Sequence, residues 1–261
     1  MTGTEVTVSA RGLDVGYQNR AVVSGIEITV SRGMSLALVG TNGSGKSTLL
    51  KTLVGLLAPV RGSVEILGAR PGALPRRVAY LGQSRSTSGL LPLRAADIVM
   101  MGRYPRRGLL GRITRADREA VDTALRRLDV TDLAARPLRD LSGGQQQRVH
   151  LAQMLAREAD LIILDEPTSG LDAGSIARYE QVVREELDRG ATVVNATHDI
   201  GDALRCDQAI LLARRVIATG PPAEVLSAER LMDAFGIALR RVEHGDHDDL
   251  LVPQIPHAHA D

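Results

Sequence analysis

The sequence predicts an α/β protein: a phosphate-loop core on a mixed β-sheet, with an antiparallel β subdomain and an inserted α-helical subdomain. Three observations carry this. Gly40-Thr41-Asn42-Gly43-Ser44-Gly45-Lys46-Ser47-Thr48 fits G-x-x-x-x-G-K-[ST], the phosphate-binding loop. Short apolar runs recur before and after it, while the stretch from about residue 84 to 158 has helical spacing and little strand signal.

The phosphate loop has the required setting. Met34–Val39 is short, apolar and bounded by Gly33 and Gly40, which reads as a buried strand. Ser47–Val54 follows with helical spacing, placing Leu49, Leu50, Leu53 and Val54 on one face. Strand, glycine loop and helix in that order aim backbone N–H groups and a helix N-terminus at a polyphosphate. Lys46 can then reach the β- and γ-phosphates, and the Ser47 hydroxyl can ligate Mg²⁺.

Residues 5–10 and 26–30 alternate apolar and polar, as half-buried antiparallel strands do. Tyr17 lies between them, and its position allows either stacking on an adenine ring or ordinary strand packing. Residues 62–67 and 77–81 read as two further strands, with Gln83 directly after the second. Within the helical stretch, Thr114 and Asp117 form a helix-start signal, followed by an apolar stripe of Ala116, Ala120, Val121, Ala124, Leu125 and Leu128. The arginine-rich stretch from Arg103 to Arg112 reads as a solvated loop, with a partner surface as the sharper alternative.

Ser142 and Gln145 satisfy a capping box, so a helix starts there with Gly143 and Gly144 in its first turn. Each glycine costs about 1 kcal/mol against alanine, yet the pair bares backbone donors at a helix N-terminus, an anion site. Leu161–Leu164 is a buried-strand run ending in Asp165 and Glu166. An acid at such a strand tip is the usual second Mg²⁺ ligand of a phosphate-loop fold, and Glu166 is placed to polarise a water. Asp172 caps a helix running to about Arg189, and residues 191–196 form the next strand, ended by His198. These strand ends share the sheet edge where open α/β folds bind ligands.

Composition narrows the class. The 261 residues are 44% hydrophobic but only 2% aromatic, so the core is built from Leu, Val, Ile and Ala. A formal net charge of +1 argues against a nucleic-acid partner. Cys206, the single cysteine, excludes an internal disulfide and suits a reducing, cytoplasmic setting. Neither a signal peptide over residues 1–30 nor a run of 18 apolar residues is visible.

Taken together, these residues resemble the ATPase subunits of ATP-binding cassette transporters. The resemblance spans about residues 5–235: the phosphate loop, Gln83, Leu141-Ser-Gly-Gly-Gln145, the Asp165-Glu166 strand, Ser169-Gly-Leu-Asp172 and His198. It implies that Tyr17 stacks on adenine, Gln83 touches Mg²⁺ and reports to a membrane partner, and Glu166 is the general base. It further implies that His198 contacts the γ-phosphate, that Asp172 lies at a dimer interface, and that Ser142–Gln145 binds the ATP of a second copy. The expected assembly is a head-to-tail homodimer with ATP and Mg²⁺. It sits peripherally on the cytoplasmic face of the membrane beneath permease subunits, and an extracytoplasmic substrate-binding protein supplies the cargo.

Within that family, Val99–Arg107 and Gly111–Arg118 look most like the ATPases of manganese/zinc importers. Thr87–Leu93 and Thr168 depart from that branch, which often carries an aromatic-rich stretch and a phenylalanine at these places. An exporter or another cargo is the alternative. An ATPase acting on DNA or ribosomes fits less well, because neither a coiled coil nor a second cassette separates the phosphate loop from Ser142. The cassette is expected over residues 1–242. Residues 243–261 form a tail holding His244, Asp246, His247, Asp248, Asp249, His257, His259 and Asp261. It reads first as a solvated terminus, although imidazole and carboxylate together suit Zn²⁺ or Mn²⁺.

Overall fold

The structure, a computed structural model, describes residues 5–83, 93–107, 111–235, 239–242 and 250–253. Residues 87–92 and the tail histidines and aspartates lie outside that set.

The centre is a six-stranded sheet of β3 (Ser35–Gly40), β5 (Val78–Leu81), β6 (Leu161–Asp165), β7 (Thr192–Thr197), β8 (Gln208–Leu212) and β9 (Val216–Gly220). Its order is β5-β6-β7-β3-β8-β9, parallel throughout except for the antiparallel β8–β9 pair. A mixed sheet is thus present, as expected. β3, β6 and β7 are buried at every residue, which explains their unbroken or nearly unbroken apolar runs.

A second sheet, ordered β2-β1-β4, is antiparallel: β1 (Val6–Tyr17), β2 (Arg20–Ser31) and β4 (Arg61–Ile66). β1 and β2 are 12 residues each, longer than the alternating patterns suggest, because register shifts between Val6 and Gly16 break the period of two. Tyr17 therefore ends β1 instead of lying in a connecting loop. Gln18 and Asn19, both with positive φ, make the two-residue turn that carries the chain into β2. Between the sheets sits α1 (Lys46–Leu53), whose Leu49, Leu50 and Leu53 pack against both of them.

The other face of the central sheet is covered by the helical insertion and the later helices. The insertion comprises α2 (Ala95–Met101), α3 (Tyr104–Arg107), α4 (Arg115–Arg127) and α5 (Gly143–Ala156), with α6 (Ala173–Asp188) beside it. α7 (Ile200–Leu204), α8 (Pro222–Val225) and α9 (Ala228–Phe235) close the sheet's far end with a smaller cluster around Val39, Leu211 and Val225. Two strands not anticipated, β10 (Leu239–Val242) and β11 (Leu250–Pro253), pair antiparallel, so part of the expected tail carries secondary structure.

Two readings of the insertion need correcting. Thr114 does cap α4, with the reciprocal bond to Asp117, but Ala116 is exposed and Asp117 takes the buried place beside it. The reason is Arg103, which is not a solvated loop residue. It is 6% exposed, and its Nε donates to Asp117 Oδ1 at 3.0 Å. Its Nη1 donates to Glu158 and to the Ala156 carbonyl, both at 2.7 Å. Arg106 adds bonds to the carbonyls of Arg157 and Glu158. Gly102 packs so closely on α5 that a Cβ there would collide with the Gln153 carbonyl. The Gly102-Arg103 pair, part of the segment that resembles the metal importers, thus joins α2 and α3 to α4 and α5.

Burial alone would push the Asp117 carboxyl up. The hydrogen bonds from Thr114 and Arg103 outweigh it and hold the group down at about 2, from an ordinary 3.8. A pKa depressed on folding gives stability that is full above the unfolded value and is lost as pH falls toward the folded one. Asp117→Asn should therefore destabilise the protein by about 2 kcal/mol near neutral pH, since it removes one of the two carboxylates paired with the buried Arg103 guanidinium and leaves Glu158 as the other. In urea unfolding the gap between variant and wild type should narrow as pH drops from about 5 towards 2.

Candidate functional site

Because β5, β6, β7, β3 and β8 run parallel, their carboxyl ends lie along one edge. That edge brings together Gln83, Asp165, Glu166, His198 and the phosphate loop, as the sequence predicts.

The loop leaves β3 at Gly40, where the backbone passes so near β8 that a Cβ would strike the Leu212 carbonyl. Thr41, Asn42 and Gly43 form its outer rim, while Ser44, Gly45, Lys46 and Thr48 are buried. Ser44 N–H closes on the Thr41 carbonyl at 3.1 Å, and Arg214 N–H donates to the Ser44 carbonyl at 3.1 Å from the β8–β9 turn. The sequence reading missed this buttress; its only signal was the apolar run Ala209–Leu212 before Arg214. Lys46 Nζ donates to the carbonyls of Gly40 at 2.6 Å and Thr41 at 3.1 Å. Burial lowers the pKa of its ammonium, against the opposing pull of Glu166 and Asp165.

Asp165 is 3% exposed. Burial raises its pKa, and a hydrogen bond with Ser47 opposes that. Among the described residues its Oδ1 finds no hydrogen-bond partner, and neither does the buried Ser44 Oγ inside the loop. A buried carboxylate oxygen with no donor, next to a serine hydroxyl, has the hard-oxygen chemistry that Mg²⁺ takes, so these residues fit the ion.

Glu166 follows with φ 52°, a left-handed conformation unusual for this residue. The turn is held by Glu166 N–H to Ala196 O at 2.9 Å. Gln83 Nε2 donates to Glu166 Oε2 at 3.0 Å, and His198 Nδ1 lies 3.9 Å from Oε1. The Thr197 hydroxyl accepts from Asp199 N–H at 2.9 Å and fixes the bend at His198.

Tyr17 is 46% exposed at the tip of the β1–β2 hairpin. Val23 of the same hairpin packs on Gly45, which brings the hairpin against the loop. Tyr80, on β5, is pushed up to about 12 by burial and by the negative charge of Asp165, with Tyr17 contributing.

The helix start predicted as a second anion site has its capping box but lies apart from the phosphate loop. Ser142 caps α5, accepting from Gln145 N–H at 3.3 Å, while Gln145 Oε1 accepts from Ser142 N–H at 3.0 Å. Among the described residues no hydrogen bond runs from 142–145 to 40–48; this helix start lies instead against the 166–172 segment, Gly144 beside the Gly170 carbonyl. Asp172 caps α6, its Oδ1 accepting from Ser175 N–H at 2.8 Å. Those backbone and side-chain bonds to Ser175 lower its pKa.

Among the described residues no helix is long and apolar enough to cross a membrane, and no group of three His, Cys, Asp or Glu is arranged to hold a metal by itself.

Comparison with known proteins agrees with this geometry. Residues 23–169 match the ABC transporter family. The manganese transport system ATP-binding protein MntB of Bacillus subtilis is 37% identical over 230 residues, covering 88% of this chain and 92% of that one. The manganese transport system ATP-binding protein MntA of Synechocystis is 36% identical over 239 residues, covering 90% and 92%. A solved metal-chelate type ABC transporter in an inward-facing conformation superposes with a TM-score of 0.80 at 27% identity, covering 96% of this chain and 98% of that one. A phosphate loop, a strand-end acid pair and a glycine-headed helix on one such fold have one family in common: the chain belongs to the ABC transporters, as an ATP-binding, ATP-hydrolysing subunit.

Proposed function

We propose that the chain powers import of a divalent metal ion of the manganese/zinc type, working as a head-to-tail homodimer on the cytoplasmic face of the membrane. Permease subunits and an extracytoplasmic substrate-binding protein complete the system. The catalytic reading rests on one observation above all, the Glu166 carboxylate held between Gln83 and His198 at the edge that carries the phosphate loop. The cargo reading rests on the manganese transport relatives, which match over most of their length.

In this reading Tyr17 stacks on the adenine, and the backbone donors of Gly40–Thr48 surround the phosphates. Lys46 exchanges its two carbonyl partners for the β- and γ-phosphate oxygens. Ser47, Asp165 and Gln83 hold Mg²⁺, which when bound neutralises phosphate charge and relieves the desolvated Asp165 carboxylate. Glu166 accepts a proton from the water whose oxygen attacks the γ-phosphorus, while the bond to the β-phosphate oxygen breaks and ADP leaves. His198 contacts the γ-phosphate. Ser142, Gly143, Gly144 and Gln145 supply donors to the nucleotide of the other protomer, and Asp172 lies at the interface. ATP thus closes the dimer and hydrolysis lets it part.

Lys46→Ala should abolish tight ATP binding while the protein stays folded. Nucleotide titration of the variant at near-wild-type affinity would remove the phosphate-loop assignment.

Glu166→Gln should bind ATP yet hydrolyse it at least about 10²-fold more slowly, and should run as a dimer on gel filtration with ATP and Mg²⁺. Cysteines at 44 and 142 should crosslink only between chains; an intra-chain link contradicts the head-to-tail arrangement.

Deleting the gene should lower cellular manganese or zinc and slow growth under chelation, with rescue by added metal. Unchanged metal content counts against this cargo. A protein lacking residues 243–261 should keep its ATPase activity, since every phosphate-handling residue precedes them. If its response to micromolar Zn²⁺ or Mn²⁺ matches that of the full chain, the tail is a solvated terminus.

A further inference from the structure

We infer that Gln147 is a positioning residue for Glu166, through a hydrogen bond that ties the helix headed by Ser142 to the turn carrying the catalytic carboxylate. The inference rests on the reading of Glu166 as general base.

Gln147 lies on α5, one turn beyond the Ser142 cap, and is 6% exposed. A glutamine is seldom so buried without a specific partner, because its amide must replace the hydrogen bonds it gives up. Here Nε2 donates to the Pro167 carbonyl at 2.7 Å, a short, buried bond. Pro167 directly follows Glu166. The carbonyl that Gln147 grips therefore lies one peptide beyond the left-handed Glu166, on the residue that receives the chain from it.

Such a backbone conformation persists only when its surroundings over-determine it. Three restraints do so. Glu166 N–H is fixed to Ala196 O on the strand side, and the Glu166 carbonyl accepts from Ser169 N–H at 3.2 Å on the loop side. Gln147 supplies the third, from a different subdomain. Gln83 and His198 meet the carboxylate itself but do not hold the backbone beneath it. Proline adds a reason for the side-chain donor: it offers no N–H of its own, so its carbonyl is the only backbone handle at that position.

The same helix end that would meet the opposite nucleotide thus also holds the turn of its own chain's base. A shift of α5 would pull on Pro167 and swing Glu166, and a displacement of about 1 Å at such a group can cost about 10² in rate.

Gln147→Met matches the side chain in length and removes the donor. In the full-length subunit assembled with its permease partners, kcat for ATP hydrolysis should fall at least about tenfold, with KM for ATP within about twofold of wild type. Gln147→Glu gives a sharper readout. An ionised carboxylate faces the Pro167 carbonyl with no proton to donate, whereas the neutral acid restores the bond. Burial favours the neutral form, so kcat relative to wild type should recover as pH is lowered from about 8 to about 6. That recovery occurs within one folded sample, so it decides the matter even if the methionine variant does not fold.

A Gln147→Met kcat within about twofold of wild type, or a Gln147→Glu ratio flat with pH, overturns the inference. Glu166→Gln is the control. Its loss of turnover alongside full turnover in Gln147→Met refutes only the role of Gln147. Wild-type turnover in Glu166→Gln removes the general base and this inference together.

Discussion

The way β3 ends governs the rest of the molecule. A strand buried at every residue leaves the sheet at Gly40, in the gap beside the Leu212 carbonyl where no side chain fits. That closeness lets β8 support the loop from one side, through the Arg214 N–H on Ser44 O, while Val23 of the antiparallel sheet covers Gly45 from another. Both sheets and α1 are committed to one turn of backbone. The apolar cluster that joins them contains Leu36 and Leu38 before the loop and Leu49, Leu50 and Leu53 after it, so the loop cannot shift without disturbing the packed layer between the two sheets.

Against that rigid frame, the polar groups at the sheet edge are held under electrostatic tension. Asp165 has a buried oxygen without a donor, Lys46 is satisfied only by main-chain carbonyls, and Glu166 sits on a left-handed backbone. Each is costly in isolation, and each is held by the packed frame around it. The parallel pairing of β5, β6, β7, β3 and β8 is what brings residues distant in sequence to one edge.

Much of this was legible in the sequence because the informative residues sit at element boundaries, where local chemistry has few alternatives. Gly40–Thr48, Ser142–Gln145, Asp172 and the strand-end Asp165 and Glu166 declared themselves by type and spacing, and the structure gives each the local geometry expected. What escaped was set by partners far along the chain. Arg103 looked like loop until Asp117 and Glu158 came to it, and Ala116 lost its buried place to an aspartate for the same reason. β8 is followed by a charged Arg214-Arg215 turn without glycine or proline, and Gln147 is the third of three consecutive glutamines, of which only the buried one meets Pro167. Periodicity cannot tell a buried polar residue from an exposed one.

The scarcity of aromatic residues has an optical consequence. The chain has no tryptophan and four tyrosines, so its ultraviolet emission comes from those phenols alone. Tyr17 stands exposed at the hairpin tip, and Tyr80 lies within the field of the Asp165 carboxylate, while Tyr179 is sealed in the core. Tyr80, and Tyr17 near enough to act on it, therefore report on that edge with no indole to mask them. The protein carries its own spectroscopic probe of that edge, sensitive to a change of charge beside Tyr80.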